Sequence, residues 1–473
     1  MRNLIWLRRD LRIADNTALF NAAKHASDGV VALFVLTPDQ WKQHDEADCK
    51  VSFWLENLRI ISAELAKFNI PLLIETCDWF EEVPAIVLKV LKRCKCEALF
   101  FNREYEFNES IRDNQVGQLC RANAIDVRRF HDRVIVPPHE IETKQGKFYS
   151  VFTPYKKVWN TKALDYCKPL GKPSKQPEIS VKASAIPDSV KGFDFSNDLG
   201  ELYPAGEAEA QKRLKRFSTK IAAYDQARDI PLLKGTSELS AYLAAGVISP
   251  RQCMKAGLEA GGGDIEGGNK GATIWISELT WRDFYAHVMV GFPRVSKHIP
   301  FKLKTEKISW RKNQKDFIAW KTGQTGYPIV DAGMRQLNQT GWMHNRLRMV
   351  TAMFLTKNLL IDWRLGEKYF MEKLIDGDLA ANNGGWQWSA STGTDAVPYF
   401  RIFNPFSQSK RFDPDGKFIK QLCPELESVP AKSLHDPKKL SAAIKDLGIK
   451  YPGFVVEYSA GRERALAAFK ANA

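Results

Sequence analysis

Three clusters in the second half of the chain put chemically able side chains at helical spacing. In ISELTWRDF, Glu278, Trp281 and Arg282 stand at i, i+3 and i+4 and share one helix face. In GWMHNRLRM, Asn345, Arg348 and Met349 do the same. In DGDLAANNGGWQW, Asn382 and Trp386 are four apart, with Asp376 and Asp378 just before them. A Glu, an Asn and two Trp converging on one pocket suit a planar polar ligand: aromatic walls stack on it and amides read its edges. Taken singly, each cluster also reads as an amphipathic helix laced by i, i+4 pairs. Upstream, GTSELS sets Thr236, Ser237 and Ser240 at a helix start. Hydroxyls and backbone N–H groups there can hold a phosphate or simply cap the helix. Tyr224 and Arg228 precede them on one helix face.

Tryptophan is abundant. Of thirteen, eight lie at or after residue 275: Trp275, Trp281, Trp310, Trp320, Trp342, Trp363, Trp386 and Trp388. A single buried tryptophan is ordinary core packing. A crowd of them in a basic region also suits stacking on bases or carrying electrons. Residues 301–363 hold eleven Lys/Arg against four Asp/Glu, a run that would serve equally as a solvated face. The whole chain carries 69 Lys/Arg and 55 Asp/Glu, a formal charge of +14. That excess favours polyanionic company: nucleic acid, an anionic membrane or nucleotides.

The elements that must position these residues fall into two styles. At 473 residues the chain has room for about two to four domains. Its 44% hydrophobic and 26% charged residues exclude wholesale disorder, a collagen-like fibre and a small disulfide scaffold. Over the first 130 residues, strand candidates Leu4–Leu7, Val30–Leu36, Pro71–Ile74 and Ala98–Phe101 alternate with helical patterns around Asn16–Lys24, Val51–Phe68, Glu82–Cys94 and Glu109–Ala122. Such alternation predicts a doubly wound parallel sheet with helices on both faces. The turn after the first strand reads WLRRDLRIADN, so the glycine-rich phosphate loop common in such folds is missing. Residues 167–190 carry Pro169, Pro173, Pro177 and Pro187 with Gly171, which argues against helix or strand and for an extended linker. Helical periodicity dominates from about 205 onward, interrupted by the surface loop EAGGGDIEGGNKG at 259–271. The predicted organisation is an α/β domain over 1–130, a linker over 131–204 and an all-α domain over 205–473, with no internal repeat.

No apolar run is long enough to span a membrane, and MRNLIWLRRDLR puts charges where a signal peptide needs an apolar stretch. The eight cysteines form no CxxC pair; Cys94 and Cys96, the closest, are separated by Lys95. That is neither a zinc pattern nor a redox pair, and reduced thiols in a cytoplasmic protein are the simplest reading.

The strings GWMHNRLRM, DGDLAANNGGWQWSASTGTDA and FRIFNP, in that order, resemble the flavin-binding region of the photolyase/cryptochrome family, and its class I cyclobutane pyrimidine dimer photolyases in particular. The likeness runs from WLRRDLRIADN to about FDPDGKFIK. It implies an N-terminal antenna domain, a long linker and a helical domain holding reduced FAD. It makes Tyr224, Thr236, Ser237 and Ser240 contacts to the FAD phosphates and ribose, adds Arg282 to the FAD set, and pairs Arg348 with Asp376 beside the isoalloxazine. Asp378 falls near the ribityl and ring polar atoms, and Asn382 faces flavin N5. Glu278, Trp281, Asn345, Met349 and Trp388 map to the dimer pocket, Glu278 bonding a thymine while Trp281 and Trp388 flank the flipped-out dimer. Trp386, Trp363 and Trp310 map to a photoreduction chain. Arg228 and Arg346 would line a groove for DNA phosphates. His44, Asn108, Glu109 and Lys297 match positions that bind 5,10-methenyltetrahydrofolate as a second, antenna chromophore. One departure is Ala241 in LSAYL, where many relatives carry proline.

The expected function is light-driven repair of pyrimidine dimers in DNA by a cytoplasmic monomer, with no membrane contact, obligate protein partner or metal. Its rivals are a light-sensing cryptochrome, a photolyase of other lesion choice and a flavin-free nucleic-acid-binding protein. The (6-4) enzymes usually place two adjacent His where this chain reads Met343-His344-Asn345.

Overall fold

A computed structural model describes residues 1–196, 199–266 and 268–471. Five strands form one sheet: β1 (Asn3–Leu7), β2 (Val30–Leu36), β3 (Leu72–Thr76), β4 (Ala98–Asn102) and β5 (Asp126–Phe130). Their order is β3-β2-β1-β4-β5 and every pairing is parallel. β1, β2 and β4 read NLIWL, VVALFVL and ALFFN and are buried along their whole length, as strands covered on both faces must be. The helices Thr17–Lys24, Asp48–Ala66, Val83–Arg93 and Phe107–Ala122 lie between them. β5 is the strand the hydrophobic pattern does not show: DVRRF is a half-buried edge strand, and edge strands carry charge.

The chain packs as two compact units. The first comprises residues 1–222, 237–293 and 375–380; the second comprises 223–236, 294–374 and 381 onward. Among the described residues, 167–206 holds neither helix nor strand, as its prolines predict. The preceding stretch is more ordered than a linker: the helix Phe152–Tyr166 buries Tyr155 and Trp159 completely. The glycine-rich loop joins the helices Pro250–Ala260 and Lys270–Gly291; Gly267 lies outside the described residues.

Within the first unit, the later helices are locked to the sheet by buried ions. Arg251 of the helix Pro250–Ala260 donates to Asp15 (2.9 Å) and Asp132 (2.7 Å), and Arg12 also meets Asp132. Both carboxylates are fully buried. Arg12 and Arg251 hold the Asp132 carboxyl well below the usual range, against the burial that pushes it up. Gly246, at φ +67°, lets the chain approach closely here: a Cβ on it would lie 2.1 Å from the Arg9 carbonyl oxygen.

The second unit is helical. Its core gathers Trp320, Tyr327, Leu347, Phe354, Trp363, Phe370, Trp386 and Phe406 with neighbouring aliphatics. Side-chain caps start its helices: Asn313 before Gln314–Lys321, Asp362 before Trp363–Lys373 and Asn404 before Pro405–Phe412. The helix Asn345–Met353 runs on into a π-turn over Phe354–Asn358, a wider turn frequent near functional sites.

Candidate functional site

In the first unit, the 22-residue helix Lys270–Gly291 starts at Asn269, whose side chain accepts from the Ala272 N–H. Ile276, Leu279, Phe284 and His287 face inward, while Glu278, Trp281 and Arg282 lie half-buried along one stripe, as their spacing predicts. The Trp281 indole stacks flat on Phe152, ring centroids 3.6 Å apart and planes 7° from parallel. Arg282 donates to the backbone carbonyls of Arg133 and Leu243, and burial lowers its pKa. Asp283 carries a role its sequence position does not advertise. Its Oδ2 accepts from Ile135 N (2.8 Å), Val136 N (3.1 Å) and Trp159 Nε1 (3.0 Å). Burial pushes its carboxyl up to about 6.

The turn Asp376–Asp378 also belongs to this unit. Asp376 is buried. Asp378 accepts from Arg133 at 2.7 Å, and the Arg133 Nη1 donates to both Glu106 oxygens, 3.1 Å to each. Lys50, fully buried, donates to the Gly377 carbonyl and to Glu46. Lys50, Glu106 and Arg133 are absent from the residues singled out by motif. The available signal was slight: Lys50 and Arg133 stand at the head of the apolar runs KVSFW and RVIVPP, and Glu106 lies among other charges in REYEFNES. The helix Ser240–Ala244 begins at Ser240 after Leu239, which caps it with no side-chain bond.

In the second unit, Asn345 is exposed at the first position of the helix Asn345–Met353, with Arg348 and Met349 half-buried on the same face. His344 caps this helix, and burial pushes its imidazole down to about 4. Arg346 is tied down rather than free: it pairs with Asp229 at 2.8 Å, lies 4.5 Å from the Phe412 ring centre and reaches the Met349 sulfur. Arg228 lies over the Tyr224 ring, the neighbour its spacing predicts.

The helix Leu379–Ala390 divides its residues sharply. Asn383, Trp386, Gln387 and Ala390 pack inward, while Asn382, Gly385 and Trp388 are half-buried. A Cβ on Gly385 would meet nothing within 4 Å. Asn382 donates its Nδ2 to the Glu367 carbonyl at 3.0 Å, which leaves the amide oxygen as the end offered to a ligand. Behind it, Glu367 accepts from Asn383 (2.9 Å) and pairs with His298 (2.9 Å), and Gln387 donates to Asn383. Trp363 and Trp386 share the unit's core, and Trp310 packs against it half-buried. Trp386 nests over Gly366, whose Cβ position lies 2.2 Å from the indole. Trp320, 6.0 Å from Trp386, is a core neighbour that the crowd of tryptophans did not single out.

These residues fit a flavin on their chemistry. An acceptor amide at Asn382 suits a ring N–H, the open face over Gly385 leaves space for a flat ring, and the guanidinium of Arg348 suits an anionic group.

A separate cleft opens at the C-terminal edge of the sheet, where the strand order reverses between β1 and β4, the place where such folds take ligands. Trp6, Arg9, Trp41, His44, Glu104 and Glu109 are among its lining residues. His44 lies 2.9 Å from the Asn108 amide and 3.5 Å from Glu109, so three of the four residues matched to folate binding come together; Lys297 lies in the second unit. Burial raises the Glu109 carboxyl, with His44 opposing. Among the described residues, no group of His, Cys, Asp or Glu is placed to hold a metal ion and no helix is long and apolar enough to cross a membrane.

Two family descriptions match the chain: DNA photolyase over residues 3–178 and the FAD binding domain of DNA photolyase over 275–471. A deoxyribodipyrimidine photo-lyase of Salmonella typhimurium is 44% identical over 473 residues, covering 99% of this chain and 98% of that one. The crystal structure of a bacterial class III photolyase from Agrobacterium tumefaciens superposes with a TM-score of 0.87 at 33% identity, covering 100% and 97% of the two chains. An archaeal photolyase from Sulfolobus tokodaii, described with two FAD molecules and the implication of a novel light-harvesting cofactor, gives a TM-score of 0.80 at 30% identity with both chains covered fully.

Proposed function

The chain belongs to the DNA photolyase family, and from this we infer that it is an enzyme using light and FAD to split cyclobutane pyrimidine dimers in DNA. The observation that carries this reading is the extent of the likeness: both family regions are present, and 44% identity runs along 99% of the chain. Bound FAD, when reduced, supplies the light-excited electron donor that opens the dimer and recovers its electron, with no net redox change.

The chain's own residues bind, orient and shield. Glu278 hydrogen-bonds a thymine of the flipped-out dimer. Trp281, held rigid by Phe152, and Trp388 flank it, with Asn345 and Met349 completing the wall. Extrusion is required because the lesion is out of reach inside the stack, and a damaged pair costs less to open. Tyr224, Thr236, Ser237 and Ser240 hold the FAD phosphates and ribose; Arg282, Arg348, Asp376 and Asp378 surround its polar atoms. Asn382 accepts from the N5 proton of the reduced ring, its orientation set by Glu367. Trp386, Trp363 and Trp310 offer oxidisable rings from core to half-buried edge. Arg228 and Arg346 line the groove for DNA phosphates, Arg346 after giving up Asp229.

The cleft at His44, Asn108 and Glu109, with Lys297, takes 5,10-methenyltetrahydrofolate as antenna. The proposed organisation keeps an antenna domain over 1–130, a linker over 131–204 and a catalytic domain over 205–473, in a cytoplasmic monomer without an obligate protein partner. The test is repair of a thymine-dimer oligonucleotide by the purified, reduced protein in blue light and in darkness. Intact thymines return only in light. A yellow, flavin-loaded protein that restores none in light would instead mark a light sensor.

A further inference from the structure

We propose that Arg133 and Lys50 are positioning residues that hold the turn Asp376–Asp378, so that Asp378 reaches the flavin with its charge already paired. This rests on the reading above that Asp378 meets the flavin. Two cations from the amino-terminal part of the first unit converge on the adjacent residues Gly377 and Asp378. The Arg133 guanidinium donates to the Asp378 carboxylate at 2.7 Å, and the Lys50 ammonium donates to the carbonyl of Gly377 between the two aspartates. Neither cation faces solvent: Lys50 is fully buried and Arg133 nearly so.

Each cation is itself fixed from behind. Glu46 accepts from Lys50, and Trp54 packs against the ammonium, 5.0 Å from its ring centre. Glu106 grips Arg133 with both oxygens. Glu106 in turn meets Arg9 at 3.0 Å, and Arg9 meets Glu104 at 2.6 Å. A chain of alternating charges thus runs from the lining of the sheet-edge cleft to Asp378. A buried carboxylate beside an electron-rich reduced ring is repulsive unless its charge is offset. Arg133 supplies that offset, and the rigid ladder behind it keeps the carboxylate from turning away. Arg133 makes no ligand contact in this scheme; its effect passes through Asp378.

The test is a double-mutant cycle on the full chain with Arg133→Gln, Asp378→Asn and both together, read by FAD affinity and by the flavin's reduction potential. The apoprotein supplies an independent readout, hydrogen exchange of the amides from 375 to 379. Arg133→Gln is expected to weaken FAD binding roughly tenfold, the scale of one charge-assisted hydrogen bond, to lower the potential, and to speed exchange in that turn while distant helices stay protected. Arg133→Lys should recover most of the potential. In the Asp378→Asn background, Arg133→Gln should add little. Equal effects of Arg133→Gln with and without the Asp378 carboxylate would overturn the proposal, as would an unchanged potential. If Asp378→Asn itself moves neither affinity nor potential, the flavin-contact reading fails and the proposal falls with it; if Asp378→Asn moves both and Arg133→Gln moves neither, the proposal alone fails.

Discussion

The Trp281 indole lies flat against the Phe152 ring at 3.6 Å, so one face of the tryptophan is permanently covered and the other is a stiff platform. Phe152 comes from the helix that the composition assigned to a linker. A platform of fixed orientation costs less entropy on stacking than a free indole.

Phe152→Leu should therefore weaken discrimination between dimer-containing and undamaged DNA although Phe152 touches no substrate. With base stacking worth about 1–3 kcal/mol, a loss of roughly fivefold in relative affinity is expected. Competition binding with both oligonucleotides checks it; unchanged discrimination would leave Phe152 a packing residue only.

Glu278→Ala should retain FAD and lower the repair quantum yield roughly threefold to tenfold, the range of one ordinary hydrogen bond. The measurement is thymine restored per absorbed photon. An undiminished yield would remove Glu278 from the proposed site.

Gly366→Ala forces a methyl group into the space of the Trp386 indole. Overpacking of this kind costs about 1–3 kcal/mol, and the displaced ring should slow photoreduction of oxidised flavin. Repair by chemically pre-reduced enzyme should fall much less. Transient absorption after a flash separates the two effects, and equal losses in both assays would argue against Trp386 as an electron donor.

Two opposed titrations sit four residues apart on the helix Lys270–Gly291. His287 is buried neutral, accepting from Tyr149 N and facing the Pro138 carbonyl, and burial pushes it down to about 4. Its folded pKa lies below the unfolded value of about 6.5, so its contribution is present above that pH and is lost as pH falls toward 4, by up to about 3 kcal/mol. Asp283, raised to about 6, acts oppositely: its contribution is complete below the unfolded pKa and is lost as pH rises through 6. Asp283→Asn should steepen the acid-side fall in melting temperature, and His287→Gln should flatten it. Unaltered slopes in both variants would dismiss the pair as the origin.

His44→Ala should weaken antenna binding about tenfold by removing a hydrogen-bonding ring from the Asn108–Glu109 pair. Near-ultraviolet absorbance beyond that of FAD reports the bound chromophore. Repair driven by light absorbed directly by the flavin should be unchanged.

Much of this was legible because local pattern and global role coincide. β2 is a wholly apolar run and its neighbours are short and mostly apolar, and the helical stripes at 278–282 and 345–349 keep their spacing in the fold. β5 escaped because an edge strand with Asp126, Arg128 and Arg129 looks like a turn. The helix Phe152–Tyr166 escaped because its few buried residues are diluted by exposed lysines and threonines. Arg133, Lys50 and Asp283 were illegible for a deeper reason. Each matters through partners far away in sequence, such as Asp378, and no local period encodes a pairing of that range.

The ties from Arg251 to Asp15 and Asp132 also join parts of the chain that are synthesised far apart. Asp132 is synthesised 119 residues before the guanidinium that completes its neutralisation. Among the described residues, Arg12 is the earlier cation that meets it, while the Asp15 carboxylate pairs with Arg251. Removing one side of a buried ion pair typically costs about 3–5 kcal/mol. The packing around Asp15 and Asp132 is therefore complete only with the helix Pro250–Ala260 in place. A fragment cut at residue 204 would keep Arg12 beside Asp132 and lose Arg251, the partner of Asp15.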